Sequence, residues 1–512
     1  MASNTSKENK MGVMPVKRLI ISMALPMMIS MLVQALYNVV DSIFVARLGE
    51  NALSAVTYAF PLQSLMIAVG SGTGVGMNAL LSRSLGEKRF DKADRAANTG
   101  IFLTFCSYIA FLLFSLFLSH WAIAVQLGGS SNSATAAEII KDGHAYLSTV
   151  TGFSIGLFFQ MTFERLLQST GRTQLSMISQ TTGAVINIIF DPIMIFGLFG
   201  CPRFGVAGAA YATVLGQSIA AILGLIMNLK FNPDIHLSWR GILRPDGDTI
   251  GRIYVVGVPS ILMMSIGSVM TYGMNMILTA FSTTATAVFG VYFKLQSFFF
   301  MPVFGLNNGL IPVLAYNYGA RQKERIDEAL KFSFGVAVVI MLCGTAIMNL
   351  FPDVLLGFFN ADEAMLQIGI PAQRIISLCF PLAAIGIISG SIFQAFSRSI
   401  YSLIISLGRQ LIVLLPVAWL LSKTGEVTNV WWAFPIAEGV SVVLSFIFFR
   451  KIYRQVVVPL GANSYASEED SSASPKSDAD DENGSAKARR TASIIQISAA
   501  NCMNICVMRY ST

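Results

Sequence analysis

The chain has 512 residues, 54% of them hydrophobic and only 12% charged, with a mean hydropathy of +0.63; this balance excludes a string of soluble domains and indicates an integral membrane protein. The net charge of +7 sits in short clusters between apolar runs, with no basic stripe carrying interleaved aromatics, which excludes a nucleic-acid partner. The lipid bilayer is the expected partner.

In chain order, the first apolar run is too long for the core of a signal peptide and no small-residue cleavage site follows it, so it is expected to remain as the first span. A helix needs about 20 apolar residues to cross a bilayer. Breaking the apolar runs at charged or Gly/Pro/Asn-rich gaps predicts twelve spans, near 18–45, 52–82, 96–120, 142–166, 174–199, 204–230, 251–281, 285–317, 330–351, 368–396, 401–422 and 428–450. The connecting loops alternate sharply in charge. Lys7, Lys10, Lys17 and Arg18, then Arg83 to Arg95, Arg165 and Arg172, Lys230 to Arg252, Arg321 to Lys331, Arg398, and Arg450 to Arg454 fall on one side, against Arg47, Lys141, Arg203 and Lys423 on the other. An asymmetry of roughly six to one predicts that both termini are cytoplasmic. The six cysteines show no metal-ligand spacing with the three histidines, so unpaired thiols are expected.

Pro26 and Pro259 are 233 residues apart, and the same offset relates Leu62-Gln63-Ser64 to Leu295-Gln296-Ser297, Gly76 to Gly309 and Gly86 to Gly319. One offset held over two helices and their loop marks an internal duplication. Because six spans separate the copies, both cross the membrane in the same sense and are related by an axis along its normal. The expected fold is therefore all-α: twelve transmembrane helices forming two six-helix bundles related by a pseudo-twofold. The domain scheme is a cytoplasmic N-terminus at 1–15, an N-lobe at 16–230, a cytoplasmic linker at 231–250, a C-lobe at 251–455 and a cytoplasmic tail at 456–512. The tail is polar, charged and poor in aromatics through Arg490, so it is expected to be disordered.

Ionisable side chains inside spans are costly and tend to mark function. Asp41 stands 23 residues after Arg18, about 35 Å along a helix, with Tyr37 and Asn38 on the same face. Asp191 stands 19 residues after Arg172, about 29 Å along its helix, with Asn187 one turn earlier. Both carboxylates are thus predicted in the outer half at comparable depth. Two carboxylates that cannot both ionise in a poorly solvated pocket either share a proton or hold a cation such as Na⁺, with Asp41, Asn187 and Asp191 as candidate ligands. The duplication places Met274 opposite Asp41 and Val417 opposite Asp191, which assigns this chemistry to the first half alone. Gln34, Asn38, Lys294 and Met274 are candidate cavity or substrate residues. Arg374 and Arg409 are expected to have a packing role, near span ends or paired with Glu438, and Glu164 and Arg165 to form a solvated ion pair at the cytoplasmic end of span four. The glycine-rich runs are expected to permit close helix contact, because no Lys-Ser/Thr completes a phosphate-binding loop.

The segments ALYNVVDSIFVARLG from Ala35, NIIFDPIMIFG from Asn187, GVAGAAYATVLGQ from Gly205, YFKLQSFFFMPVFGLNNGLIPVLAYNYGA from Tyr292 and NVWWAFPIAEG from Asn429 resemble the multidrug and toxic compound extrusion (MATE) family, most closely its bacterial, Firmicute-type branch. The resemblance covers about residues 15–455. It implies a cation-coupled antiporter of the plasma membrane, driven by H⁺ or Na⁺ with no other cofactor, that exports organic cations and amphipathic drugs and acts as a monomer. By the same resemblance the coupling site comprises Asp41, Tyr37, Asn187 and Asp191, with Thr213 as a further ligand. Other branches carry acidic residues in the C-lobe; Lys294 and Met274 stand in that region here, so no C-lobe sodium site is expected. The alternative within the superfamily is a flippase for a polyprenyl-linked saccharide, whose pyrophosphate calls for a cationic cavity. No Asp-rich metal motif occurs at a helix end, so an enzyme such as a membrane prenyltransferase is not expected.

Overall fold

The computed structural model describes residues 9–126, 134–359 and 362–460. Lys7, Cys502, Cys506 and the tail from residue 461 lie outside the described residues. In the first half, a short α1 (Lys10–Val13) precedes α2 (Val16–Ala46), α3 (Glu50–Gly86), α4 (Phe90–Phe117), α5 (Ser119–Gln126), α6 (Ala134–Gly152), α7 (Ile155–Ser169), α8 (Thr173–Phe196) and α9 (Val206–Phe231). The connection holds α10 (Trp239–Leu243). The second half follows with α11 (Gly247–Thr279), α12 (Thr283–Gly319), α13 (Lys323–Leu350), α14 (Pro352–Gly357), α15 (Glu363–Ser377), α16 (Phe380–Ala395), α17 (Ile400–Leu407), α18 (Leu415–Ser422), α19 (Val427–Val430) and α20 (Ala433–Ile452).

Among the described residues these helices group into twelve spans, as the hydropathy pattern predicts, but three are not single rods. Among the described residues ten helices are long and apolar enough to cross a membrane alone, and α15 with α16 forms an eleventh span, bent by 48°. Span four is the pair α6 and α7, separated by Phe153 and Ser154, so the single helix expected over 142–166 is broken near its middle. Its many polar and charged side chains, from Glu138 to Arg165, are affordable because α6 and α7 pack against α3, α4 and α9 rather than facing lipid all round. Span eleven widens into a π-turned stretch at Gly408–Leu414 between α17 and α18. Each half has its own core. Phe289, Tyr292, Phe380 and Trp431 are at most 2% exposed in the second; Met66, Tyr146, Leu147 and Phe158 pack together in the first.

The halves meet on two symmetry-related faces, α3 on α11 and α12 on α2. The duplicated glycines are where they touch. A Cβ at Gly76 would collide with the Ile253 carbonyl of α11, and its counterpart at Gly309 would lie 2.8 Å from the Ala24 Cα of α2. Gly86 and Gly319 meet across the pseudo-twofold itself: a Cβ at Gly86 would strike the Tyr316 carbonyl, and one at Gly319 the Arg83 carbonyl. In lipid, where burying apolar surface gives little drive to associate, such close backbone approach supplies the packing energy. Gly72, Gly76, Gly86, Gly305, Gly309 and Gly319, which touch the opposite half, all lie between the middle of their helices and the end that carries the N-terminus. The halves are therefore bolted together over that end.

The connection between the halves is held to the first of them. The backbone N–H of His236 donates to Asp94 Oδ1 at 2.7 Å and that of Ser238 to Asn98 Oδ1 at 2.9 Å, while Asn98 Nδ2 donates to the His236 carbonyl at 3.0 Å. Ser238 then caps α10 by accepting from the N–H of Gly241 at 3.1 Å. Among the described residues Cys106, Cys201, Cys343 and Cys379 are free thiols.

Candidate functional site

Along α2, Met27, Ser30, Met31, Gln34, Tyr37, Asn38 and Asp41 recur at spacings of three and four and form one stripe. On α8 the corresponding stripe runs through Gln180, Gly183, Ala184, Asn187 and Asp191. The two helices pack together, so the stripes face each other. Near the middle, Gln180 Nε2 donates to Gln34 Oε1 at 2.9 Å, and the Ser30 hydroxyl donates to Gln180 Oε1.

Farther from the N-terminal end the stripes bring Asp41 and Asp191 close enough to interact directly. Asp191 is 0% exposed, Asn187 3% and Thr213 6%. With its amide oriented so that both ends are satisfied, Asn187 donates to Asp191 Oδ2 at 3.1 Å and its oxygen accepts from Thr213 Oγ1 at 3.1 Å. Tyr37, on α2, is close enough to act electrostatically with both carboxylates. So is Tyr146 on α6, 3% exposed, whose hydroxyl donates to Gln63 Oε1 at 3.4 Å. Asp41 Oδ1 is enclosed with no hydrogen-bond partner among the described residues. An orphaned carboxylate oxygen beside a second carboxyl, an amide and two hydroxyl-bearing side chains fits a proton or a small monovalent cation, both hard acceptors of oxygen ligands. No group of three His, Cys, Asp or Glu side chains among the described residues could hold a metal ion.

The same two stripes open onto a cavity of about 440 Å³ between the halves. Gln34, Tyr37, Asn38, Asn187 and Thr213 line it, as does a second-half wall of Ser260, Met263, Met264, Met301, Phe304, Asn307, Asn308 and Gln394. Six methionines and seven glutamines among the lining residues make the wall polarizable and rich in neutral hydrogen-bonding groups. Lys294 and Met274 do not line it. Met274 is 0% exposed in the second-half core, where a side chain from the duplicated copy of α2 packs on α12, and Lys294 is exposed at another face of α12.

Glu164 and Arg165 correct the expectation of a solvated pair. They are 7% and 8% exposed and line the cavity. Glu164 Oε1 accepts from Gln160 Nε2 at 2.9 Å, while Arg165 Nη1 donates to Gln168 Oε1 at 3.0 Å and, across the two halves, to Asn308 Oδ1 at 3.1 Å. The signal was present in the sequence: Leu157, Gln160, Met161, Glu164, Arg165 and Gln168 recur at helical spacing and mark one face of α7. Tyr146 carried no such pattern. Of the two alternatives for Arg409, the pair with Glu438 forms, at 2.9 Å, and His120 stacks edge-on against His144 at 5.5 Å.

Comparison with known proteins agrees with this architecture. The MatE family model matches twice, at residues 26–193 and 259–420, so its two copies begin at the two prolines that define the duplication. The multidrug export protein MepA of Staphylococcus aureus (strain MRSA252) is 24% identical over 426 residues, covering 83% of this chain and 91% of that protein. MepA of Staphylococcus haemolyticus is 25% identical over 437 residues, covering 85% and 93%. Among solved structures, a MATE transporter in complex with MaL6 aligns with a TM-score of 0.81 at 25% identity over 90% of this chain and all of that one. An outward-facing MATE transporter of the MOP superfamily aligns with a TM-score of 0.82 at 24% identity over 90% of this chain and 99% of that one. The chain belongs to the MatE family of membrane transporters.

Proposed function

We propose that the protein is a cation-coupled antiporter that exports organic cations and other amphipathic drugs, with H⁺ or Na⁺ exchanged at Asp41 and Asp191. The observation that carries this reading is the carboxyl pair of buried Asp191 and half-buried Asp41, whose enclosed Oδ1 is unpartnered, set beside a methionine- and glutamine-lined cavity between two duplicated halves. Its relatives named multidrug export proteins support the same direction of transport. The excess of Lys and Arg at the N-terminal end supports a cytoplasmic location for both termini. With that orientation the halves are joined on the cytoplasmic side and the carboxyl pair lies toward the outside. Cation entering from outside takes the orphaned Asp41 oxygen and favours drug release; drug entering from the cytoplasm favours the state that releases the cation. Each ligand shifts the equilibrium only by its differential affinity for the two states. Arg165 is the one cationic side chain among the described lining residues, and its guanidinium is turned to Gln168 and Asn308, which suits a cationic cargo better than a pyrophosphate. The test is efflux of ethidium or a fluoroquinolone from cells expressing Asp41→Asn and Asp191→Asn. Each variant is expected to lose at least nine-tenths of the wild-type rate at equal expression, and normal efflux in both would sink the assignment.

A further inference from the structure

The N-terminal segment ahead of the first span is tied to both halves at once. Asn9 Nδ2 donates to the Thr170 carbonyl, in the α7–α8 connection of the first half, at 3.0 Å, and reaches Asp234, which is itself held by Arg172 at 2.7 Å. Asn9 Oδ1 accepts from the N–H of Met11 at 3.0 Å and so caps α1 from the same residue. Burial pushes the Asp234 carboxyl above its usual range, and the Arg172 guanidinium pulls it part of the way back. Met11 is 0% exposed and packs with Leu81, Leu85 and Leu166 of the first half and Val313 of the second.

The other anchor belongs to the second half. Arg325 Nη2 donates to the carbonyls of Met11, at 2.9 Å, and Met14, at 2.8 Å. Arg325 Nε donates to Asn317 Oδ1 at 2.9 Å, and Asn317 Nδ2 donates back to the Met11 carbonyl at 3.3 Å. Tyr316 closes over Gly12, where a Cβ would stand 3.1 Å from the ring. A charged donor shared by two carbonyls is a strong and directional tie.

We propose that residues 9–14 are a strap that holds the two halves together at their N-terminal end and must let go of one anchor before that end can open. The Thr170 carbonyl and Arg325 sit in different halves, so any motion that parts the halves there draws the two anchors away from each other. The strap's six residues cannot follow both. Its release is therefore part of the barrier to opening, and this rests on the exchange between two states proposed above for the transport cycle, read as the halves parting at that end.

The test uses the full chain with its native cysteines replaced and spin labels introduced at Asp91→Cys on α4 and Lys331→Cys on α13, both exposed near that end. Distances are measured between the labels in lipid nanodiscs. Arg325→Gln cuts the second-half anchor and Asn9→Ala the first. Each is expected to raise the long-distance population at least fivefold over the unsubstituted labelled protein, with Arg325→Lys intermediate, because an ammonium lacks the planar fork that reaches two carbonyls. Since cutting either anchor frees the same strap, the double variant is expected to open no further than the larger single. An Asn9→Ala population equal to that of the parent, or a double variant whose effect is the product of the two singles, would overturn the proposal. A single short distance in every variant, with and without drug, would overturn the strap and the parting of the halves together. The strap alone fails if long distances occur in the parent and no anchor variant changes them.

Discussion

Asp191 is wholly enclosed while Asp41 keeps one oxygen without a partner, and this inequality sets their separate roles. Asp191 is fixed by Asn187, and Asn187 in turn by Thr213, so the α8 side of the site is rigid before a cation arrives. Replacing Thr213 by Val removes one hydrogen bond of about 1 kcal/mol and is expected to weaken cation binding about fivefold, read as a shift of the half-saturating cation concentration in transport. Replacing Asn187 by Leu strands both neighbours in a buried site, at a cost of about 1 to 3 kcal/mol, and is expected to lower thermal stability as well as transport. The helical depths of Asp41 and Asp191 could be counted from Arg18 and Arg172, which made their meeting legible in the sequence. Tyr146 was not legible, because it enters from α6, across a break at Phe153–Ser154 that no proline or run of charge announces. Glu164 and Arg165 were misread for a different reason. Both lie within five residues of the end of α7, where solvent is the usual surrounding, but the converging halves close over that end and bury them.

At the scale of helices, the duplicated glycines separate positions that look alike in sequence. Gly86, on α3, leaves no space for a Cβ beside the Tyr316 carbonyl, whereas Gly290, inside α12, has nothing within 4 Å. Gly86→Ala is expected to push α3 from α12 and cost about 1 to 3 kcal/mol. Gly290→Ala gains helix propensity of up to about 1 kcal/mol and is expected to be neutral or stabilising. Thermal unfolding of the two purified variants checks the opposite signs. Ser282 caps the start of α12 by accepting from the N–H of Ala285 at 3.0 Å, so Ser282→Ala is expected to cost about 1 kcal/mol in the same assay. Helix positions were readable because a span of about 20 apolar residues leaves a strong periodic signal. The bend between α15 and α16 and the π-turned stretch at Gly408–Leu414 were not, since both lie inside runs as apolar as any straight helix.

Across the whole molecule, duplication made two halves alike in backbone and unlike in chemistry. The copy of α2 carries Met274, which is packed into the core, where the original carries Asp41, and the second half's Glu438 is paired with Arg409 at 2.9 Å. On the proposed function the first half carries the cation site, and the second supplies Met263, Met264, Met301 and Asn308 to the shared cavity and Arg325 to the proposed strap. The difference between Asp41 and Met274 was visible in the 233-residue offset, because a repeat shows what one copy has and the other lacks. The most direct measurement is uptake of ethidium into proteoliposomes under imposed pH and Na⁺ gradients, applied separately, for the wild type and Asp41→Asn. The wild type should accumulate ethidium under at least one of the two gradients, and Asp41→Asn under neither; accumulation by the variant equal to that of the wild type would contradict coupling at the Asp41–Asp191 pair.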